Sequence, residues 1–152
     1  MKLWVDGSSG SAGRALRATV KDQVEEINRQ VLSRGVRAVN ALRNAELEVL
    51  KGQRSGKVYR KPHTKRATYQ ASAPGEAPAR RTGNLRMHWN GQVKKGRESE
   101  SGVEVIAELE SQEEYASILE SGTSRIAPRP MVERIIEKAE PEIKKIYGEP
   151  YT

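Results

Sequence analysis

In the run RALRATVKDQVEEINRQVLSRGVRAVNALRNAELEVL, residues 14–50, apolar side chains return every three or four positions: Leu16, Val20, Val24, Ile27, Val31, Ala38, Leu42, Ala45 and Val49. That step matches the period of an amphipathic helix. Ser11 is the expected N-cap and Gly52 the expected stop. Such a helix runs about 55 Å, longer than the roughly 38 Å diameter of a compact domain of this length. It must therefore bend or project, and Gly35 is the expected point of a bend or of close packing.

Downstream of the helix, residues 51–81 show no period and carry Gly52, Gly56, Pro62, Pro74, Gly75 and Pro78, which predicts a long loop or arm. Beyond it, Thr82 is expected to cap a short turn through Leu85, with a strand over 86–95. Val103, Val105, Ala107 and Leu109 alternate with Glu104, Ile106, Glu108 and Glu110, the pattern of a half-buried strand. Leu3 and Val5 would add a short edge strand. A brief helix is expected over 115–120. Pro128-Arg129-Pro130 then opens a last helix with Met131, Ile135, Ala139, Ile143 and Ile146 on one face, which Pro141 should kink or end early. The fold class is thus α+β in one domain, 1–152: long N-terminal and C-terminal helices packed on a small antiparallel sheet, with a basic arm at 51–81.

Composition sharpens this reading. Leu, Val and Ile together make up only 29 of 152 residues, near the level at which a charged chain struggles to fill a core, so neighbouring copies or partners are expected to cover part of the apolar surface. The net charge of +7 is concentrated: residues 1–50 carry +2, residues 51–81 carry +8 and residues 82–152 carry −3. Within the arm, Lys51, Arg54, Lys57, Arg60, Lys61, Lys65, Arg66, Arg80 and Arg81 are interleaved with Tyr59 and Tyr69, a mixture that suits nucleic acid or an acidic protein surface.

No apolar run is long enough for a membrane span, and Met1-Lys2-Leu3-Trp4-Val5-Asp6-Gly7 lacks the pattern of a signal peptide, so neither is expected. The absence of Cys excludes disulfides and thiolate metal sites and fits a reducing cytoplasm. His63 and His88 have no metal-ligand spacing. The stretch from Gly7 to Arg14 precedes a helix but lacks the Lys-Ser/Thr ending of a phosphate loop. Glu104, Glu108 and Glu110 share a strand face with no apolar pocket to tune them, so a solvated or interfacial acidic face is expected. No catalytic residue, cofactor or metal is expected.

Two stretches carry a resemblance. Residues 72–86, SAPGEAPARRTGNLR, are similar to the Pro/Gly-rich lead into a Thr-Gly-x-Leu-Arg turn in the tail-completion, or neck, proteins of long-tailed double-stranded DNA bacteriophages. Residues 115–130, YASILESGTSRIAPRP, resemble that family's Tyr-Ala-x-x-Leu-Glu-x-Gly-Thr stretch followed by Arg-Pro and a closing helix. The likeness covers most of the chain apart from 51–71. Thr82, Gly83, Leu85, Tyr115, Leu119, Glu120, Gly122, Thr123, Arg129 and Pro130 then read as determinants of fold and interface. Thr82 offers a capping oxygen, Gly83 and Gly122 permissive backbone, and the prolines stiffness.

The resemblance implies a structural virion protein forming a ring, usually of six copies, between the head connector or stopper and the tail terminator or tail tube. Its lumen would conduct DNA, its location would be the neck of the virion, and it would pass through the host cytoplasm during assembly. Arg54, Lys57, Arg60, Lys61, Lys65, Arg66, Arg80 and Arg81 are the expected interface cations. The alternative is a basic nucleic-acid-binding module that uses the 51–81 arm.

Overall fold

The computed structural model describes residues 10–99 and 102–152, so the expected edge strand at Leu3 and Val5, and Gly7 at the start of the Gly-rich stretch, lie outside the described residues. The architecture is α+β: a long N-terminal helix, a C-terminal helix and two small antiparallel sheets of two strands each.

Helix α1 runs from Ser11 to Lys51 as one uninterrupted element of 41 residues, about 60 Å long. Its N-cap is Gly10, in extended backbone, rather than Ser11, which is the first helical residue. The Gly10 carbonyl accepts the Arg14 amide at 3.1 Å, while no side chain among the described residues caps this end. Gly52 ends the helix as expected, its amide donating to the Glu48 carbonyl at 3.2 Å. At Gly35 the helix packs closely: a Cβ there would lie 2.7 Å from Val105 Cγ1 and 3.0 Å from Val93 Cγ1. The first half of α1 buries none of its stripe, since Leu16, Val20, Val24 and Ile27 are 45–66% exposed.

The expected structureless arm contains a second sheet. Strands β1, Val58–Arg60, and β2, Thr68–Gln70, pair antiparallel with Tyr59 opposite Tyr69. Three-residue strands are too short to display a period, which is why the pattern 51–81 reads as loop. Helix α2, Asn84–Met87, takes the first residues of the strand expected over 86–95. Strand β3, Trp89–Ser99, then pairs with β4, Gly102–Ser111, with a register shift between Lys95 and Glu98. As the alternation predicts, Val103, Val105, Ala107 and Leu109 are half-buried while Glu104, Ile106 and Glu110 are exposed.

Helix α3, Tyr115–Ser121, precedes α4, Val132–Gly148. Pro141 neither ends nor shortens α4, which continues to Gly148. Pro141 and Glu137 are both exposed, so the carbonyl left without an amide partner lies on the water side, and burial of Ile146 beyond it secures the last turns. The face of Met131, Ile135, Ala139, Ile143 and Ile146 packs as expected. Met131, Ile135 and Ala139 join Ala45, Leu50, Ala77 and Ala116 in one core, with Leu42, Val49, Leu85, Trp89 and Ile143 against it. Four of those seven buried residues are Ala, the structural form of the thin aliphatic supply.

Two ionic features hold α1. Buried Arg34 donates to the Glu149 carbonyl at 2.6 Å and the Pro150 carbonyl at 2.9 Å, with its guanidinium 3.7 Å from the Tyr151 ring centroid. Arg37 forms a two-bond pair with the Glu149 carboxylate, so the C-terminal tail is strapped to the helix. Glu46 is fully buried, pairs through Oε2 with Arg43, and Arg43 also donates to the Arg86 carbonyl at 3.1 Å. Glu46 Oε1, Arg86 Nε and Trp89 Nε1 are buried without a partner among the described residues.

Candidate functional site

The two motif stretches form one hydrogen-bonded unit. In the first, Thr82 Oγ1 accepts the Asn84 amide at 3.3 Å. Gly83, at φ +98°, is the N-cap of α2, and its carbonyl accepts the Arg86 and Met87 amides at 3.1 and 3.0 Å. Thr82 thus supports the turn one residue ahead of the formal cap. Leu85 then packs on the core.

In the second, Leu119 offers its carbonyl to the Arg129 amide at 2.7 Å. The Glu120 carboxylate accepts the Met131 amide at 2.7 Å and the Val132 amide at 3.3 Å, capping α4 from the end of α3. Gly122 sits at φ +72°, ψ −178°, a combination essentially reserved for glycine. Thr123 Oγ1 accepts the Arg125 and Ile126 amides at 3.2 and 3.1 Å, closing the loop back toward Arg129 and Pro130. Replacing Glu120 with Ala is expected to cost about 1–2 kcal/mol by orphaning the first amides of α4, read as a lower denaturation midpoint, with Glu120→Gln recovering part of it.

Two contacts join the stretches, and a third ties the first of them to α4. Arg129 Nε donates to Ser72 Oγ at 2.8 Å, the Gly75 amide donates to the Pro128 carbonyl at 3.1 Å, and Arg134 donates to the Gly75 carbonyl at 2.7 Å. The Tyr115 hydroxyl lies against the Leu85 backbone and the Glu113 carboxylate; burial first, then Glu113, raises its pKa. Between the stretches opens a groove of about 550 Å³, lined by Leu85 and Leu119 together with Arg80, Arg81, Arg86 and Arg129.

The expected interface cations divide into three groups. Lys57, Arg60, Lys61, Lys65 and Arg66 belong to the β1–β2 hairpin and its loop, and none has a carboxylate within ion-pair distance among the described residues. The rings of Tyr59 and Tyr69 stack with centroids 5.9 Å apart, and Lys57 Nζ lies 5.8 Å from the Tyr59 ring. Arg80 and Arg81, both exposed, line the groove instead. Arg54 braces the end of α1 from within the chain: it donates to the Val49 carbonyl at 2.7 Å and the Pro78 carbonyl at 3.1 Å, and burial lowers its pKa. The charge count of the arm conceals this role, because composition does not distinguish a guanidinium turned to backbone carbonyls from one turned to water.

Glu76, the arm's one carboxylate, clamps the hairpin base and is absent from the residues that the sequence reading singles out. It accepts the Ser55 amide at 3.0 Å and the Ala73 amide at 2.8 Å, together with the Ser55 hydroxyl. Those hydrogen bonds hold its pKa down to about 2. A lone acid within a segment of nine cations is the signal that could have found it.

His88 pairs with Glu113, and His63 occupies the hairpin loop at φ +58°. Among the described residues, no group of three or more His, Asp or Glu is placed to hold a metal, and no helix is long and apolar enough to cross a membrane. Glu108 pairs with Lys94 and accepts from Gln92 at 3.1 Å, while Glu104 accepts the Arg97 amide at 3.3 Å. In comparisons with known proteins, no family model, curated protein or solved structure matches the chain.

Proposed function

We propose that this chain is a structural subunit of the neck of a long-tailed double-stranded DNA phage, assembling into a ring between the head connector and the tail tube around the DNA channel. The observation that carries the reading is the joining of residues 72–86 and 115–130, the two stretches that resemble neck proteins, into one unit through Arg129, Ser72, Gly75 and Pro128. Its prominent side chains and turns, at Glu120, Gly122, Thr123 and Arg129, cap helices and close loops. This use suits a scaffold more than an active site.

The stripe of Leu16, Val20, Val24 and Ile27, 45–66% exposed, supports assembly, since it leaves apolar surface for neighbours. A ring is the closed form of a head-to-tail contact. The six copies, the connector or stopper and tail terminator or tail tube partners, and the virion location follow from the resemblance. The test is to locate the chain in purified particles by mass spectrometry and labelled electron microscopy. A position at the neck is expected; absence from particles, or a position elsewhere, overturns the reading.

A second reading, a nucleic-acid-binding module, is favoured by the hairpin's cations, which lack ion-pair partners among the described residues and lie beside the stacked Tyr59–Tyr69 pair. It requires duplex binding by free protein that weakens steeply with salt and is lost when Arg60, Lys61, Lys65 and Arg66 are all changed to Glu.

A further inference from the structure

We propose that the basic β1–β2 hairpin docks on the outward face of the β3–β4 sheet of a second copy of this chain. The inference rests on the ring reading and names the two surfaces that meet.

The outward sheet face carries Glu104, Ile106, Glu108 and Glu110 from β4, with Lys94 across from Ile106 and the neutral Gln92 and Asn90 across from the two later glutamates. Lys94 takes Glu108, which leaves exposed Glu104 and Glu110 without a cation within ion-pair distance among the described residues. Ile106, 47% exposed, lies amid these acids. The hairpin is its complement in charge and in polarity: Val58 is 57% exposed, and Arg60 shares its strand face. The sheet face, with Lys94 taken by Glu108, is net acidic around exposed Ile106, and the hairpin is basic around exposed Val58, so the two are complementary in net charge. Acidic surface of the same chain is a better fit than phosphate alone, because phosphate offers nothing to the exposed Val58.

Placement within one chain makes the contact intermolecular. Gly35 seats against Val93 and Val105, and Val39 against the backbone of Gly91, so the sheet runs along α1 toward its N-terminus. The hairpin departs from the opposite end, past Gly52, about 25 Å of helix beyond Gly35. Two complementary patches at different ends of one subunit make a head-to-tail contact, and such contacts close into rings when the rotation permits.

The experiment uses the chain's lack of cysteine. Particles are assembled with Val58→Cys and Ile106→Cys in the same chain, oxidised and run on a denaturing gel. A ladder of covalent multimers ending at the ring's copy number is expected, with no step beyond the dimer from either single variant. In parallel, Arg60→Glu with Lys61→Glu should reduce assembly at least tenfold, and Glu104→Lys with Glu110→Lys in the neighbouring copies should restore it, both variants melting as the parent chain does. A closed ring without the disulfide ladder from the double variant, or without rescue by the charge swap, overturns this contact and leaves the ring reading standing. Reversal variants that assemble normally but lose duplex binding assign the hairpin to DNA and overturn the proposal. Absence of any ring in particles removes both readings.

Discussion

Gly122→Val is expected to unfold the protein or bring it close to unfolding. A Cβ at this position would sit 2.7 Å from the Ile126 carbonyl oxygen, 2.8 Å from Pro128 N and 2.9 Å from Pro128 Cδ, all in a segment that proline prevents from yielding. Backbone strain at φ +72°, ψ −178° adds to the clash. Together these cost roughly 2–6 kcal/mol, comparable with the whole stability of an ordinary domain. The damage should spread, because the same turn delivers Glu120 to the start of α4 and the Arg129 amide to Leu119. Gly75→Ala is the control. It also has a positive φ, +80°, but no described atom lies within 4 Å of the added Cβ, so only about 1 kcal/mol is expected. Urea denaturation of both variants checks this, and a Gly122→Val midpoint as high as that of Gly75→Ala would disprove the packing account.

Stability is also expected to fall as pH rises from about 4.5 to about 7, through Glu46. Burial pushes its pKa up to about 7 from 4.5, against the pull of Arg43 and then Arg86. The folded state therefore holds a proton that the unfolded chain has released, and the advantage of the neutral form is full below pH 4.5 and lost as pH rises through 7. A proton on the unpartnered Oε1 removes the charge and leaves Oε2 to accept from Arg43. The shift corresponds to about 3 kcal/mol, or about 6–12 °C in Tm for a chain of this size. Glu76 acts in the opposite direction: its depressed pKa gives stability present above 4.5 and lost as pH falls toward about 2. Comparing Glu46→Gln with the parent isolates the first effect. The variant should gain in relative Tm between about pH 5 and about pH 8, and a constant difference across that range would show that Glu46 is ionised throughout.

Gly122 and Glu46 differ in how far the sequence reveals them. Gly122 is legible, since a glycine closing a short helix before Pro128 and Pro130 marks a turn that needs left-handed backbone. Glu46 is not, because one glutamate in a helix rich in charge looks like any solvated position until the fold buries it beside Arg43 and Arg86. The same division holds among the arm cations: Lys57, Arg60, Lys65 and Arg66 face solvent as their density suggests, while Arg54 braces the end of α1.

What the sequence alone determined is local and repetitive. The apolar steps of α1 and α4, the alternation in β4 and the turn residues at 82–83 and 120–123 are each specified by neighbours within about one turn of chain, so their period or chemistry survives without knowledge of the fold. Tertiary structure decided what depends on partners far along the chain. The β1–β2 hairpin is held by Glu76 and by the Gly56 and Ala71 backbones, not by any pattern inside its three-residue strands. Pro141 stays within α4 because burial of Ile146 outweighs one missing hydrogen bond. Gly35 lies against Val93 and Val105, which are 58 and 70 residues away in the sequence, and only closure of the β3–β4 sheet onto α1 makes that position too tight for a side chain.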